Sequence, residues 1–233
     1  MKFTVLTLFP EIFELYLAQT IMQRASELGI VEYKIVNIRD YSGNKHNQVD
    51  DIPFGGGAGM VLKPEPYWNY FEQKMVEELT HEKVIEISNR DDVTIISGRY
   101  EGLDQRVIDE FVDEEISIGD YVLSSGDLPS LVLMDSVIRI KEGVIKKESF
   151  ETDSFFNGLL GFPQYTRPIV QEGYPVPDVL RSGNHKKIDE YRHFKAIEKT
   201  EKNREDLLNK KLESEEFQKE YKKYKKHKEQ EGK

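Results

Sequence analysis

Two neighbouring stretches decide the fold: Val93-Thr-Ile-Ile-Ser-Gly-Arg-Tyr-Glu-Gly-Leu-Asp104 and Ile116-Ser-Ile-Gly-Asp-Tyr-Val-Leu-Ser-Ser-Gly-Asp-Leu-Pro129. Val93–Ile96 is a β-branched run of the kind that forms a buried strand, and Ser97-Gly98 stops it. Leu103–Val112 then carries apolar residues at helical spacing, with Asp104 placed at the first turn. Ile116–Ile118 reads as a second short strand ending at Gly119. Ser124-Ser125-Gly126 opens a further helix, Leu128–Ile140. Strands that end in glycine turns and feed helices predict an α/β fold with a parallel sheet. In such sheets ligands sit outside the carboxyl ends of the strands.

Outward from this centre, Lys2–Phe9 reads as a first strand stopped by Pro10. Glu11–Leu28 reads as one helix with Ile12, Leu15, Tyr16, Ile21, Met22, Ala25 and Leu28 on its apolar face and Gly29 as its stop. Ile30–Ile38 is the second strand, and Arg39–Asp51 is polar enough to be a loop. Phe54-Gly-Gly-Gly-Ala-Gly-Met60 invites a phosphate-loop reading, but no Gly-Lys-Ser/Thr follows and Lys63 precedes Pro64. Its glycines suit a backbone that another chain or a cofactor approaches closely. A nucleotide-phosphate enzyme built on Gly55–Gly59 therefore stands as a minor alternative. Pro66–Glu78 reads as a helix with Trp68, Phe71 and Met75 on one face. Lys83–Ser88 suits a short strand or a helical turn.

With 233 residues the chain is long enough for one large domain or a domain plus a smaller module. No stretch approaches the roughly 18 apolar residues of a membrane span, and the chain opens on strand-like sequence without a signal peptide. Cysteine is absent, which excludes disulfides and thiolate metal sites. The five histidines show no ligand spacing, so no metal site is expected. A cytoplasmic enzyme is the plain expectation.

The net charge of −10 argues against indiscriminate nucleic-acid binding. A nucleic-acid partner needs locally concentrated cations. They occur as Arg139, Lys141, Lys146 and Lys147; as Arg181, His185, Lys186, Lys187, Arg192, His193 and Lys195; and in the tail Lys219–Lys228, although the plain reading of that tail is a solvated helical face.

The carboxyl-terminal third follows a stretch rich in charge, Ser, Thr and Gly, read as a flexible linker over 142–163 between a domain 1–141 and a small all-helical domain 164–233. Pro163, Pro168, Pro175 and Pro177 keep the first part of that domain extended. Lys186–Asn203 is an amphipathic helix with Ile188, Tyr191, Phe194 and Ile197 inward. Arg204–Lys211 and Glu215–Lys228 read as two more helices.

Gly98-Arg-Tyr-Glu-Gly, Ser117-Ile-Gly-Asp-Tyr-Val-Leu, Asp135-Ser-Val with Arg139, Asp153-Ser-Phe and Tyr165-Thr-Arg-Pro resemble the bacterial TrmD family. These are tRNA (guanine-N1)-methyltransferases of the SPOUT superfamily. Leu8-Phe-Pro, Val49–Met60 and Ser182-Gly-Asn-His match in the same order, and the likeness fades after about Ala196.

The resemblance implies a SPOUT-like parallel sheet with a trefoil-knotted cofactor region, S-adenosylmethionine as methyl donor, tRNA but not DNA as partner, and a homodimer. It implies cofactor contacts at Gly98, Tyr100, Glu101 and Gly102, at Ile118, Gly119, Asp120, Tyr121, Val122 and Leu123, and at Gly126 and Pro129. Asp153, which alone reads as an N-cap or linker residue, becomes the general base. Arg139, otherwise a helix-end charge, becomes the cation facing guanine O6. Arg167, Asn184 and His185 face the tRNA. Mg²⁺ is commonly associated with the family, without a dedicated site here.

The chain departs from the family in two places. Gln164 stands where the family has His. A strand and Ser-Pro-Gln-Gly loop that normally precede the helix before Gly98 are absent, a loss of about 10–12 residues or more. That segment is one wall of the family's pocket, which leaves open whether the knot closes. An RNA-binding homologue without activity is therefore the alternative from another class.

Overall fold

A computed structural model describes residues 1–55, 59–71, 80–146 and 150–231. The chain forms two compact units, Met1–Lys146 and Lys147–Lys233.

The first unit is built on a parallel sheet ordered β2-β1-β5, from β1 (Lys2–Thr7), β2 (Glu32–Asn37) and β5 (Asp92–Ile96). Alternation along β1 gives the sheet two buried faces. Phe3 and Val5 point to a core shared with Phe13 and Leu17 of α1 (Pro10–Leu17), Met22 and Ala25 of α2 (Thr20–Glu27), Val84 and Ile87 of α4 (His81–Ser88), and Met134 and Val137 of α6 (Asp127–Ile140). Leu6 points to the other core, with Leu62 of the short strand β4 (Val61–Leu62), Tyr67 of α3 (Glu65–Trp68), and Val107 and Phe111 of α5 (Gln105–Phe111).

Several expectations need correction. The single helix over Glu11–Leu28 is two helices, broken where Gln19 is extended and Thr20 takes φ +53°. The break rephases the apolar face. Phe13 and Leu17 are buried, whereas Ile12, Leu15 and Tyr16 point outward. Arg39–Asp51 is not only loop: Ile38–Tyr41 is a 3₁₀ turn, and β3 (Asp50–Asp51) pairs antiparallel with β4. Of the predicted helix 66–78, Glu65–Trp68 is helical and half-exposed Trp68 packs edge-on to Phe111, while Met75 lies outside the described residues. Lys83–Ser88 is helix, capped by Thr80 Oγ1 accepting from the Lys83 N–H. Ile116–Ile118 forms no strand. A strand needs a hydrogen-bonded neighbour, and among the described residues this stretch pairs with none.

In the second unit, α8 (His185–Asn203), α9 (Glu205–Leu212) and α10 (Glu215–Glu231) bury Ala196, Ile197, Leu208, Phe217 and Tyr224 with Leu159. As expected, Ile188 and Ile197 face inward. The unit is not purely helical. β6 (Val170–Gln171) and β7 (Tyr174–Pro175) form a hairpin ahead of the one-turn α7 (Asp178–Arg181). Glu172 and Gly173 both take positive φ, the requirement of its two-residue turn. The boundary between Lys146 and Lys147 falls inside the stretch read as a linker, yet Val144 before it and Leu159 after it are fully buried in their units.

Candidate active site

The turn after β5 and the start of α6 are tied together. The Gly126 N–H donates to the Gly98 carbonyl at 2.8 Å, and Arg99 bridges antiparallel to Ser125. A Cβ on Gly126 would stand 2.9 Å from the Gly98 nitrogen, so the approach requires glycine. The hairpin β3–β4 joins the same turn: Glu101 N–H donates to the Met60 carbonyl at 3.0 Å and Leu62 N–H to the Gly102 carbonyl at 3.0 Å. Gly59 lies under Glu101, where a Cβ would meet the Glu101 carboxylate at 2.2 Å.

This explains the glycine run better than a phosphate loop does. It connects two antiparallel strands rather than a strand and a helix, and residues 56–58 lie outside the described residues.

Beneath these turns sits a carboxylate that the sequence does not single out. Asp127, 1% exposed, accepts from Thr7 Oγ1 at 2.8 Å, Ser97 Oγ at 2.5 Å, Ser125 Oγ at 2.9 Å and Arg99 Nη2 at 3.2 Å. It thereby joins the ends of β1 and β5 to the first turn of α6. Arg99 lies 4.0 Å over the Phe9 ring. The only sequence signal is an acid at a helix start, which suggests a cap. The long-range partners cannot be read from it.

The predicted site residues distribute unevenly. Gly98, Tyr100, Glu101 and Gly102 form the turn after β5, with Tyr100 at φ +61° and Gly102 at +134°. Gly126 and Pro129 lie at the start of α6 beside it. Ile118, Gly119, Asp120, Tyr121, Val122 and Leu123 form a separate irregular loop in which Tyr121 N–H donates to the Gly119 carbonyl at 2.9 Å. Among the described residues no hydrogen bond joins this loop to the Gly98 or Gly126 turns. Tyr121, Val122 and Leu123 are exposed. The segment before it is braced by Glu114, which accepts from Lys83 Nζ at 3.0 Å and Arg90 Nη2 at 2.6 Å. Burial alone would raise the Glu114 carboxyl; those two cations outweigh it and hold it low.

Arg139 is in the last turn of α6. It lies thirteen positions after Gly126, and at about 1.5 Å rise per residue the helix holds them about 20 Å apart.

Asp153, Arg167, Asn184 and His185 belong to the second unit. Asp153 sits in a turn closed by its N–H on the Phe150 carbonyl at 3.1 Å. Further along the chain, Leu160 N–H donates to Thr200 Oγ1 of α8 at 2.9 Å. Asn184 caps α8 by accepting from Lys187 N–H at 3.2 Å, and His185 begins the helix. Arg167 is exposed. Among the described residues no three His, Asp or Glu side chains converge as metal ligands. None of the helices described is long and apolar enough to cross a membrane. A cavity of about 620 Å³ opens at the other end of the strands, lined by Met1, Lys2, Glu32 and Asp91 among others, and holds none of the predicted residues.

Fold and geometry define an α/β protein with glycine-bearing turns at the carboxyl ends of parallel strands. Residues 1–210 match the family model for the tRNA (Guanine-1)-methyltransferase TrmD, and the chain belongs to that family. It is 47% identical over 230 residues to a tRNA (guanine-N(1)-)-methyltransferase of Clostridioides difficile, covering 91% of this chain and all of the relative. It is 48% identical over 224 residues to that of Staphylococcus aureus strain JH9, covering 90% and 91%.

The crystal structure of the tRNA (m1G37) methyltransferase from Aquifex aeolicus superposes with a TM-score of 0.70 at 35% identity, over 91% of this chain and 96% of that one. Since 91% of 233 residues is about 212, about 18 of the 230 positions aligned with the Clostridioides relative have no counterpart here. The comparisons favour a methyltransferase over an inactive RNA-binding homologue.

Proposed function

We propose that this chain methylates N1 of the guanosine immediately 3′ of the anticodon in tRNA, with S-adenosylmethionine as donor. The observation that carries the reading is the fusion of the Gly98 and Gly126 turns, in a chain that matches the family over 1–210.

The turns suit the donor. At Gly98 and Gly102 a Cβ would meet nothing within 4 Å, so bare backbone faces open space. Gly98, Tyr100, Gly102, Gly126 and Pro129 would hold the donor from one side and Ile118, Gly119, Asp120, Tyr121, Val122 and Leu123 from the other. The Glu101 carboxylate would face its positive end. When bound, the donor supplies an electrophilic methyl group.

The chain's task is then to make guanine N1 a nucleophile. Asp153 takes the N1 proton, which drives electron density toward O6, and Arg139 stabilises the charge there. Arg167, Asn184 and His185, with Lys186 and Lys187, hold the tRNA.

Arg139 stands too far along α6 to serve the loops at the start of the same helix. The reading is therefore a homodimer in which one copy completes the pocket of the other. Ile12, Leu15 and Tyr16 of α1 and Leu128 and Val132 of α6 are exposed, and Tyr16 Oη donates to Asp135 Oδ2 of α6 at 2.6 Å. This apolar face suits a self-association surface, and a monomer in sedimentation at micromolar concentration would contradict it. We take the knot of the family to lie at the same turns, and the cytoplasm, where tRNA is, to be the place of action.

Calorimetry with S-adenosylmethionine tests the donor site. Saturable binding is expected, and absence of heat at millimolar ligand would overturn it.

A further inference from the structure

The family model ends at residue 210, and α10 begins at Glu215. One edge of this helix is anchored. Phe217 and Tyr224 are buried, and Glu201 of α8 accepts hydrogen bonds from Tyr221, Tyr224, Lys225 and Lys228. The opposite edge carries Lys219, Lys222, Lys223 and Lys226, all exposed. Their spacing of three, four and seven residues puts them within about 100° of one helical face. Among the described residues none of the four makes an ion pair or a side-chain hydrogen bond.

Of the acids beside this face, Glu215 and Glu216 stay in the first turn, where the helix dipole favours them, and Glu229 lies beyond Lys226 in the last turns. A chain of net charge −10 thus concentrates four cations in two turns. Lys225 and Lys228, although half exposed, are paired with Glu201, whereas the four lysines of the opposite edge are not.

We propose that the outward lysine face of α10 is an additional docking surface for the phosphate backbone of tRNA, one that raises affinity without reading sequence. The inference rests on the tRNA reading above. Charge complementarity points to a polyanion. A membrane surface fits poorly, because the aromatic edge such a helix would insert is the edge already buried in the unit.

The test is binding of a tRNA transcript by the full chain and by the combined variant Lys219→Gln, Lys222→Gln, Lys223→Gln, Lys226→Gln over a series of salt concentrations. Glutamine keeps helix propensity close to that of lysine, and all four sites are exposed, so the melting temperature should not move. If all four lysines meet phosphates, the slope of log K against log salt becomes shallower by about 3, at roughly 0.7–0.9 for each phosphate no longer neutralised. KM for tRNA rises while kcat at saturating tRNA stays unchanged.

An unchanged slope and affinity would overturn the proposal. So would binding to anionic phosphatidylserine vesicles that the substitutions abolish while the tRNA slope stays put. Should the combined variant melt early, Lys222→Gln and Lys226→Gln singly must each make the slope shallower by up to about one unit. A wild-type chain that does not bind tRNA at all would instead remove the reading on which this inference stands.

Discussion

Replacing Asp127 by alanine should destabilise the first unit by about 3–5 kcal/mol. Thr7 and Ser97, both essentially fully buried, would lose their acceptor. A stranded buried donor costs about 1–3 kcal/mol, so the two hydroxyls dominate. Ser125 and Arg99 are partly exposed and can turn toward water, so they add little.

Trp68 is the chain's single tryptophan and packs on Phe111 in the first unit, so its fluorescence in a urea titration reports that unit. A second substitution sharpens the test. Thr7→Val should cost stability in the wild-type background and little beside Asp127→Ala, because both partners of the bond are then gone. A loss below about 1 kcal/mol, or strictly additive effects, would refute the claim that this carboxylate holds the turns together.

The second unit should show an acid dependence set by Glu201. Burial alone would raise its carboxyl, but hydrogen bonds from Lys225, Tyr221, Lys228 and Tyr224 prevail and hold it at about 2. An unfolded glutamate titrates near about 4.3. The stabilisation is therefore complete above that value and is lost as pH falls toward 2. In thermal melts followed by circular dichroism, Glu201→Gln should lower stability at pH 7 and converge with wild type near pH 2; a constant difference across that window would contradict the assignment. Asp153→Asn should retain S-adenosylmethionine binding while methyl transfer falls by about 10²–10⁴, as for a lost general base; loss of binding with turnover kept would reverse the role given to Asp153.

Local rules reach much of this fold. β1, β2 and β5 follow from β-branched runs, and α5 from Asp104, whose carboxylate accepts the Arg106 N–H at 3.0 Å. Order of motifs, rather than any one glycine, carries the likeness to the family. Periodicity fails at Glu11–Leu28, because Ile12, Leu15 and Tyr16 form as good an apolar stripe as Phe13 and Leu17, and only tertiary packing chooses between them. It fails again at Ile116–Ile118, where strand propensity exists but no pairing partner does.

The Asp127 network is illegible for a different reason. Its partners Thr7 and Ser97 lie 120 and 30 residues away, and nothing local marks them. In the same way Gly59 reads as one glycine of a run until Glu101 is seen lying across it. The positions expected to meet the cofactor at Gly98, Tyr100, Glu101, Gly102 and Gly126 adjoin, while no hydrogen bond among the described residues ties Ile118–Leu123 to them.

The most direct measurement is nucleoside mass spectrometry of tRNA incubated with the full chain and S-adenosylmethionine carrying an isotopically labelled methyl group. The expected product is labelled 1-methylguanosine at the position 3′ of the anticodon. Donor binding with no labelled 1-methylguanosine, or label at another atom or nucleoside, would contradict the assignment.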